Sequence, residues 1–327
     1  MSVKTQLLNL FLANKEAVLS GAALAKTLGV SRNAIWKAIE ELRQAGYTIE
    51  TRGRKGYRLV QASFQLDAQQ IKQGLSDFWD GLHIEIHDTV TSTNELAKQF
   101  LSKHPQQRAL FVANAQSQGR GRRGRTFYSD LTDGLYITLA FPLQHIALQE
   151  IPQYTLVAAS AIAQAFDVPL EIKWINDLFY QGKKVCGILC EAITDLETQE
   201  VSAFIVGIGL NLAGSFSQAD AAIQEVAGTI FGEKLPDTFN RNELLCRFLE
   251  QFATYHQELK ARTYLDFYKT RLLGLGKRVT YHIQQIEYEG VIEGINQDGH
   301  LLVRDANGQL HTLFGHEIHF SSKQFIQ

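Results

Sequence analysis

Over the first sixty positions, apolar residues recur at helical spacing in three short blocks. Residues 3–14 put Leu7, Leu8, Phe11 and Leu12 on one side, which predicts an amphipathic helix. Residues 21–28, GAALAKTL, predict a second helix, and Gly29 is placed to end it because glycine takes the left-handed conformation without a Cβ clash. Ser31 can cap a third helix over 32–45, with Ile35, Ile39 and Leu42 as its inner face and Gly46 as its stop. The period then changes to two. Short strands are predicted around 47–51 and 57–60, joined by the tip Arg52-Gly53-Arg54-Lys55-Gly56. Two helices, a turn, a third helix and a hairpin make a winged helix-turn-helix.

The polar segment 62–70 reads as a linker. From about 82 to 272 the two periods interchange irregularly. Strands are predicted at 82–87, 109–115, 134–141, 171–175, 184–193 and 200–210, and helices at 93–102, 149–166, 217–230 and 240–258. This predicts a mixed α/β body, not a clean parallel βαβ series. Past Gly274 the pattern shortens, and Asp298-Gly299 and Asn307-Gly308 are hairpin signals. The expectation is an α+β multidomain chain: a winged helix-turn-helix over 1–62, a mixed α/β domain over 63–273, and a small all-β domain of barrel size over 274–327.

Composition adds three constraints. Apolar residues make up 45% of the 327, enough for real cores, and no apolar run reaches the roughly 18 residues a membrane helix needs. The N-terminus carries charges and lacks a small-residue cleavage pattern, so no signal peptide is read. Three cysteines without a C-x-x-C, two of them (Cys186 and Cys190) in an apolar strand, read as reduced buried thiols and imply the cytoplasm. The net charge of −2 hides an asymmetry. Residues 1–62 hold ten Lys/Arg against four Glu, a formal +6, and the remaining 22 basic and 30 acidic residues give −8. A basic module fused to an acidic body suggests that the module meets a polyanion.

Four segments carry chemistry. Gly119-Arg120-Gly121-Arg122-Arg123-Gly124-Arg125 alternates bare backbone with forked donors suited to phosphate and carboxylate. Its plainer reading is a basic surface loop, open to RNA or to nothing. Lys173-Trp174-Ile175-Asn176-Asp177 predicts a short strand ending in two polar side chains, and a hairpin would bring Asp177 to Lys184. That pair could equally be a surface ion pair, worth only ~0–1 kcal/mol. Thr91-Ser92-Thr93-Asn94-Glu95 has the residue types of a helix cap. Val206-Gly207-Ile208-Gly209-Leu210-Asn211 puts two glycines in a strand, a sign of close approach by another group. It lacks the third glycine of a dinucleotide fingerprint, and no P-loop is present. His311, His316 and His319 have no companion carboxylate cluster or cysteine. They read as surface or strand histidines, with no metal site.

The order T-S-T-N, A-Q-S-Q-G-R-G-R-R-G-R, K-W-I-N-D, K-V-C-G-I-L and G-I-G-L-N resembles the biotin–protein ligase family. With a winged helix in front and a small β-domain behind, essentially the whole chain resembles the form that also represses the biotin operon. The resemblance implies a class II synthetase-like central domain and an SH3-like C-terminal barrel. It implies that Ser92, Thr93 and Gln116 bind the biotin ring region, and that Gly119, Arg120 and Arg122 close over its carboxylate and the phosphate. Lys184 would act at the reacting centre together with Arg120, Arg122 and Asp177. Gly187 and Gly207 would line the pocket, and Arg123, Arg125, Phe127, Asn176 and Asn211 would lie at the nucleotide. Two positions depart from the pattern. Ile175 stands where proline is frequent, and Phe127 where the bifunctional relative has a tryptophan as an adenine platform.

The implied activity uses ATP, with Mg²⁺, to form biotinyl-AMP and passes biotin to a lysine of the biotin carboxyl carrier protein of acetyl-CoA carboxylase. The implied regulation is a ligand-induced homodimer on biotin operator DNA. Ser31, Arg32, Asn33, Trp36 and Lys37 would meet bases, and Arg52, Arg54 and Lys55 phosphates. A lipoate–protein ligase, a sensor that no longer catalyses, and a ligase whose winged helix binds protein are the competing readings.

Overall fold

The computed structural model describes residues 2–14, 17–61, 65–131, 133–143, 150–194, 201–283, 286–315 and 318–325. The chain divides into two compact units, Met1–Trp79 with Asp237–Cys246, and Asp80–Pro236 with Arg247–Gln327.

The first unit opens with α1 (Val3–Ala13), α2 (Gly21–Leu28) and α3 (Arg32–Gln44), followed by the antiparallel hairpin β1 (Thr48–Thr51) and β2 (Tyr57–Gln61). Ser2, Ser20 and Ser31 each accept a backbone N–H at the start of a helix, and Gly29 ends α2 at φ 65°. Leu7, Leu8 and Phe11 of α1 pack with Ile35, Ile39 and Leu42 of α3 and with Ile49 and Leu59 of the hairpin. This is the winged helix-turn-helix the pattern predicts.

The first compact unit runs past the hairpin to Trp79. The last three residues of the segment read as linker, 68–70, open α4 (Ala68–Gln73), capped by Asp67, whose carboxylate accepts from Gln69 and Gln70 N–H. The helix joins the winged helix because Gln70 Nε2 donates to Tyr47 Oη (2.8 Å) and Gln73 Nε2 to Asn9 Oδ1 (2.6 Å). Six residues with one apolar anchor, Ile71, are too short to show a helical period.

Gly56 sets the base of the wing. It sits at φ 128°, and a Cβ there would run into the Leu19 carbonyl, which bridges to Tyr57. Gly56→Ala should therefore cost this unit about 2–4 kcal/mol. A urea titration followed by hydrogen exchange of the α1 to α3 amides checks this, and an unchanged midpoint would show that the wing base tolerates a side chain.

In the second unit, a seven-stranded sheet runs β3 (His83–Val90), β4 (Ala109–Gln116), β5 (Asp133–Pro142), β9 (Val201–Ala213), β8 (Lys183–Thr194), β7 (Asp177–Tyr180), β6 (Glu171–Lys173). Only β3 and β4 pair in parallel, so the α/β body is mixed, as expected. α5 (Thr93–Lys103) packs on β4, β5 and β9, and α6 (Gln153–Ala165) on β6 to β9. The predicted helix at 217–230 shrinks to α7 (Ala221–Val226). Of α8 (Arg241–Gln257), residues 247–257 fall in this unit, and α9 (Thr263–Thr270), which the periodicity did not reveal, lies against α6.

A second sheet, β10 (Arg278–Ile283), β11 (Ile286–Ile295), β12 (Leu301–Arg304), β13 (Leu310–Leu313) and β14 (Ile318–Phe320), is antiparallel throughout, with β13 and β14 at its edges. It falls in the same compact unit as the large sheet. No helix among the described residues is long and apolar enough to cross a membrane.

Candidate functional site

A pocket of about 410 Å³ opens in the second unit. Its floor follows from two strands with missing side chains. Residues i and i+2 of a strand share a face, so Gly207 and Gly209 of β9 present bare backbone side by side, and Gly187 of β8 pairs across from Gly209. Each gap is filled by a neighbour. A Cβ on Gly207 would strike the Asn94 amide, and one on Gly209 would lie 2.5 Å from Phe127 Cε1. The Phe127 ring therefore lies on Gly209 and its cross-strand partner Gly187. Gly209 was missed by sequence reasoning, although the Gly-x-Gly spacing already marked its face.

The start of α5 forms one wall. Ser92 holds the N-cap position, yet its side chain makes no capping bond and is buried in the pocket lining. Gln116, from the end of β4, supplies the acceptor instead: its Oε1 takes the Thr93 N–H (2.8 Å) and the Thr93 hydroxyl (3.1 Å). Thr138 donates to Asn94 Oδ1 (2.6 Å), and Asn94 Nδ2 donates to Glu191 (2.7 Å). Of the residues that suggested a cap, Ser92, Thr93 and Asn94 thus form a buried polar cluster at a helix N-terminus, where the helix dipole favours an anion.

The arginine–glycine segment is a closed turn. Gly121 N–H donates to Arg125 O (2.7 Å), and Phe127 N–H to Gly119 O (3.0 Å). Gly119 itself does not line the pocket; a Cβ there would clash with Ser129 Oγ. Arg120, Arg122 and Arg125 do line it. Arg122 forks between Asn176 Oδ1 (3.2 Å) and Gly315 O (2.8 Å), while Arg120 pairs with Glu95 (3.0 Å) at the surface. The side chain of Arg123 lies outside the described residues.

The expected strand 171–175 stops at Lys173. Residues 174–176 form a turn with a cis Trp174–Ile175 peptide, and Asp177 opens β7. The β7–β8 hairpin sets Asp177 Oδ1 2.7 Å from Lys184 Nζ, the predicted pairing. Lys184 also stands 5.8 Å from the Phe127 ring centroid. Asn211 is buried in the lining, and its Oδ1 has no hydrogen-bond partner among the described residues.

Sequence reasoning missed three groups. Phe216, Ile223 and Val226, after β9, close one side with apolar surface. Gly315, Ile318 and Phe320, from the small sheet, close another. Lys173, part of a quoted motif but given no role, lines the pocket with its side chain almost fully buried. No local signal marks the first two groups, because they reach the pocket only through long-range packing.

Asp177, the carboxylate of the lining, is committed to Lys184, and no three His, Cys, Asp or Glu side chains gather as a metal cage among the described residues. The donor set does not fit a protein-held Mg²⁺. His311 pairs with Asp305 (2.9 Å), while His316 and the side chain of His319 lie outside the described residues.

In the first unit, Arg32, Asn33, Trp36 and Lys37 share the exposed face of α3, and Ser31 is used as its cap. Trp36 is 54% exposed, unusual for so large an apolar side chain. Arg52 and Lys55 are exposed at the wing, Arg52 pairing with Glu50, and the side chain of Arg54 lies outside the described residues.

Comparison with known proteins matches residues 86–211 to the Biotin/lipoate A/B protein ligase family and 3–58 to an HTH domain. The bifunctional ligase/repressor BirA of Bacillus subtilis is 31% identical over 94% of this chain and 95% of its own length. The BirA of Escherichia coli is 29% identical over 93% and 94%. Among solved structures, biotin protein ligase from Aquifex aeolicus in complex with biotin and ATP is 25% identical. It covers 73% of this chain and 99% of its own at a TM-score of 0.55. The chain therefore belongs to the biotin/lipoate protein ligase family, in its bifunctional ligase/repressor branch.

Proposed function

We propose that this protein activates biotin with ATP, transfers it to a lysine of a carrier protein, and represses transcription with the activated vitamin as corepressor. One observation carries the ligase reading: Arg120, Arg122 and Lys184 meet in a single pocket whose floor is bare glycine backbone under an aromatic ring.

A carboxylate does not acylate an amine at neutral pH because its leaving group is poor. In the proposed first step a biotin carboxylate oxygen bonds to the α-phosphorus of ATP and the bond to the β-phosphate bridging oxygen breaks, releasing pyrophosphate. Two anions meet there, and the cationic groups of Arg120, Arg122 and Lys184 offset their repulsion and the charge that develops. The buried cluster of Ser92, Thr93 and Gln116 suits the ureido ring. Phe127 suits an adenine face, worth about 1–3 kcal/mol by analogy with base stacking, and the unpaired Asn211 Oδ1 suits a nitrogen donor such as its exocyclic amine. Arg125 and Asn176 belong to the nucleotide side, and Mg²⁺ would come as the nucleotide's counter-ion. In the second step an acceptor lysine amine attacks the acyl carbon, the bond to the AMP oxygen breaks, and the amine loses its proton. The acceptor is taken to be the biotin carboxyl carrier protein of acetyl-CoA carboxylase.

For repression, the exposed face of α3 would enter the major groove, with Arg52, Arg54 and Lys55 on phosphates. A ligand-induced homodimer on a palindromic operator, and a cytoplasmic location, complete the proposal.

Incubation with labelled biotin, ATP and magnesium, with lipoate as comparator, tests the ligase reading. Absence of a biotinyl adenylate, or a preference for lipoate, would overturn it. Operator titrations with and without the adenylate test repression, which indifference to the ligand would sink.

The Glu95–Arg120 pair yields a smaller prediction. Glu95 competes with the substrate carboxylate for Arg120, and an exposed pair is worth only ~0–1 kcal/mol. Glu95→Gln should therefore tighten biotin binding by up to about fivefold. Calorimetry checks this, and weaker binding would contradict the competition.

A further inference from the structure

Lys173 is the pocket's most buried cation and lies outside the ion pair assigned to the chemistry. Its side chain is 9% exposed. A buried ammonium needs partners for its three N–H groups, and these come from distant parts of the chain. Nζ donates to Ser322 Oγ at 2.8 Å and to the Phe320 carbonyl at 3.3 Å, and it stands 3.9 Å from Asp177 Oδ2. The other oxygen of the same carboxylate holds Lys184. One carboxylate is thus shared by two ammonium groups, and the deeper one is anchored by the end of β14 and the residues just after it.

We propose that Lys173 is a positioning residue for the adenylation step: its ammonium, held by Ser322 and the Phe320 carbonyl, fixes the Asp177 carboxylate that aims Lys184. The inference rests on the ligase reading above. It assigns the C-terminal segment a part in the reaction, as the acceptor side of an ammonium clamp.

The charge on this group is conditional. Burial lowers its pKa to about 8, and Lys184, Arg125 and Arg122 push it the same way against the opposing pull of Asp177. Tyr268 also faces Asp177. Lys173 is therefore charged below about pH 8 and loses its proton above it. On deprotonation Asp177 keeps only Lys184, and the ammonium that braced its second oxygen is gone. Adenylation should then carry an alkaline limb near pH 8 in kcat, with little change in the KM for biotin, because Lys173 acts through Asp177.

The experiment is the pH profile, from 6.5 to 9.5, of biotin-dependent pyrophosphate release by the full chain and two variants. Ser322→Ala removes the 2.8 Å acceptor and disfavours the ammonium further, so its limb should move to lower pH. Lys173→Met should lower kcat roughly 10- to 100-fold at pH 7.5, the scale of a small misplacement at a reacting centre, and abolish the limb. A limb that stays in place in Ser322→Ala overturns the inference even if Lys173→Met fails to fold. A Lys173→Met variant that folds and keeps the wild-type kcat overturns it too. An inactive wild type would overturn the ligase reading itself, and this inference with it.

Discussion

Replacing Lys184 by alanine should slow biotin-dependent pyrophosphate exchange by about 10²–10³-fold, the loss expected when one preorganised donor to developing charge is removed. The β7–β8 hairpin places this lysine. Gln181 and Gly182 turn the chain at φ 50° and 73°, and the register places Asp177 two residues along β7 from Phe179, the cross-strand partner of Lys184. The 2.7 Å pair then holds the ammonium beside the pocket floor. A lysine anchored this way needs no reorganisation as charge builds on the phosphorus. Alanine leaves the carboxylate with Lys173 at 3.9 Å, so the unit should still fold. The decisive readout is exchange rate against thermal midpoint. A normal exchange rate in a folded variant would remove Lys184 from the reaction.

The second large effect concerns retention. Arg122 reaches two places at once, Asn176 Oδ1 and the Gly315 carbonyl, and so ties the arginine turn to the turn before β7 and to the segment that follows β13. Hydrogen bonds from a charged donor contribute about 1.5–3 kcal/mol each. Arg122→Gly removes both and adds a flexible residue to a turn already rich in glycine. The proposed adenylate should then escape about 10²-fold faster, since each 1.4 kcal/mol is tenfold, and should label lysines on bystander proteins. Gel filtration after a single turnover measures this directly. An adenylate that co-elutes with the variant as tightly as with the parent chain would refute the tether.

Much of the architecture was legible because it is local. The three N-terminal helices announce themselves by apolar spacing, the third also by its serine cap at Ser31, and the wing by its glycine-flanked basic tip. Interactions within four residues of one another need no partner from elsewhere, so a linear pattern suffices. The same logic failed for α4, whose helical turn is held by Asp67 and by side-chain bonds to Tyr47 and Asn9. It failed again for residues 217–230, where six residues of helix with none buried owe their place to the pocket.

The site divides in the same way. The sequence alone determined that an arginine–glycine turn, a strand with paired glycines and an Asp–Lys hairpin exist, because each is written in a few consecutive residues. Only the tertiary structure decided that Phe127 lies on Gly209, that Gln116 takes over the cap Ser92 leaves open, and that the carbonyl of Gly315 meets Arg122. It also buried Lys173 between Asp177 and Ser322. Those contacts join residues up to 193 positions apart. Burial, which removes water as the competing partner, is what turns such encounters into fixed geometry, and no local pattern encodes which distant group will be buried against which.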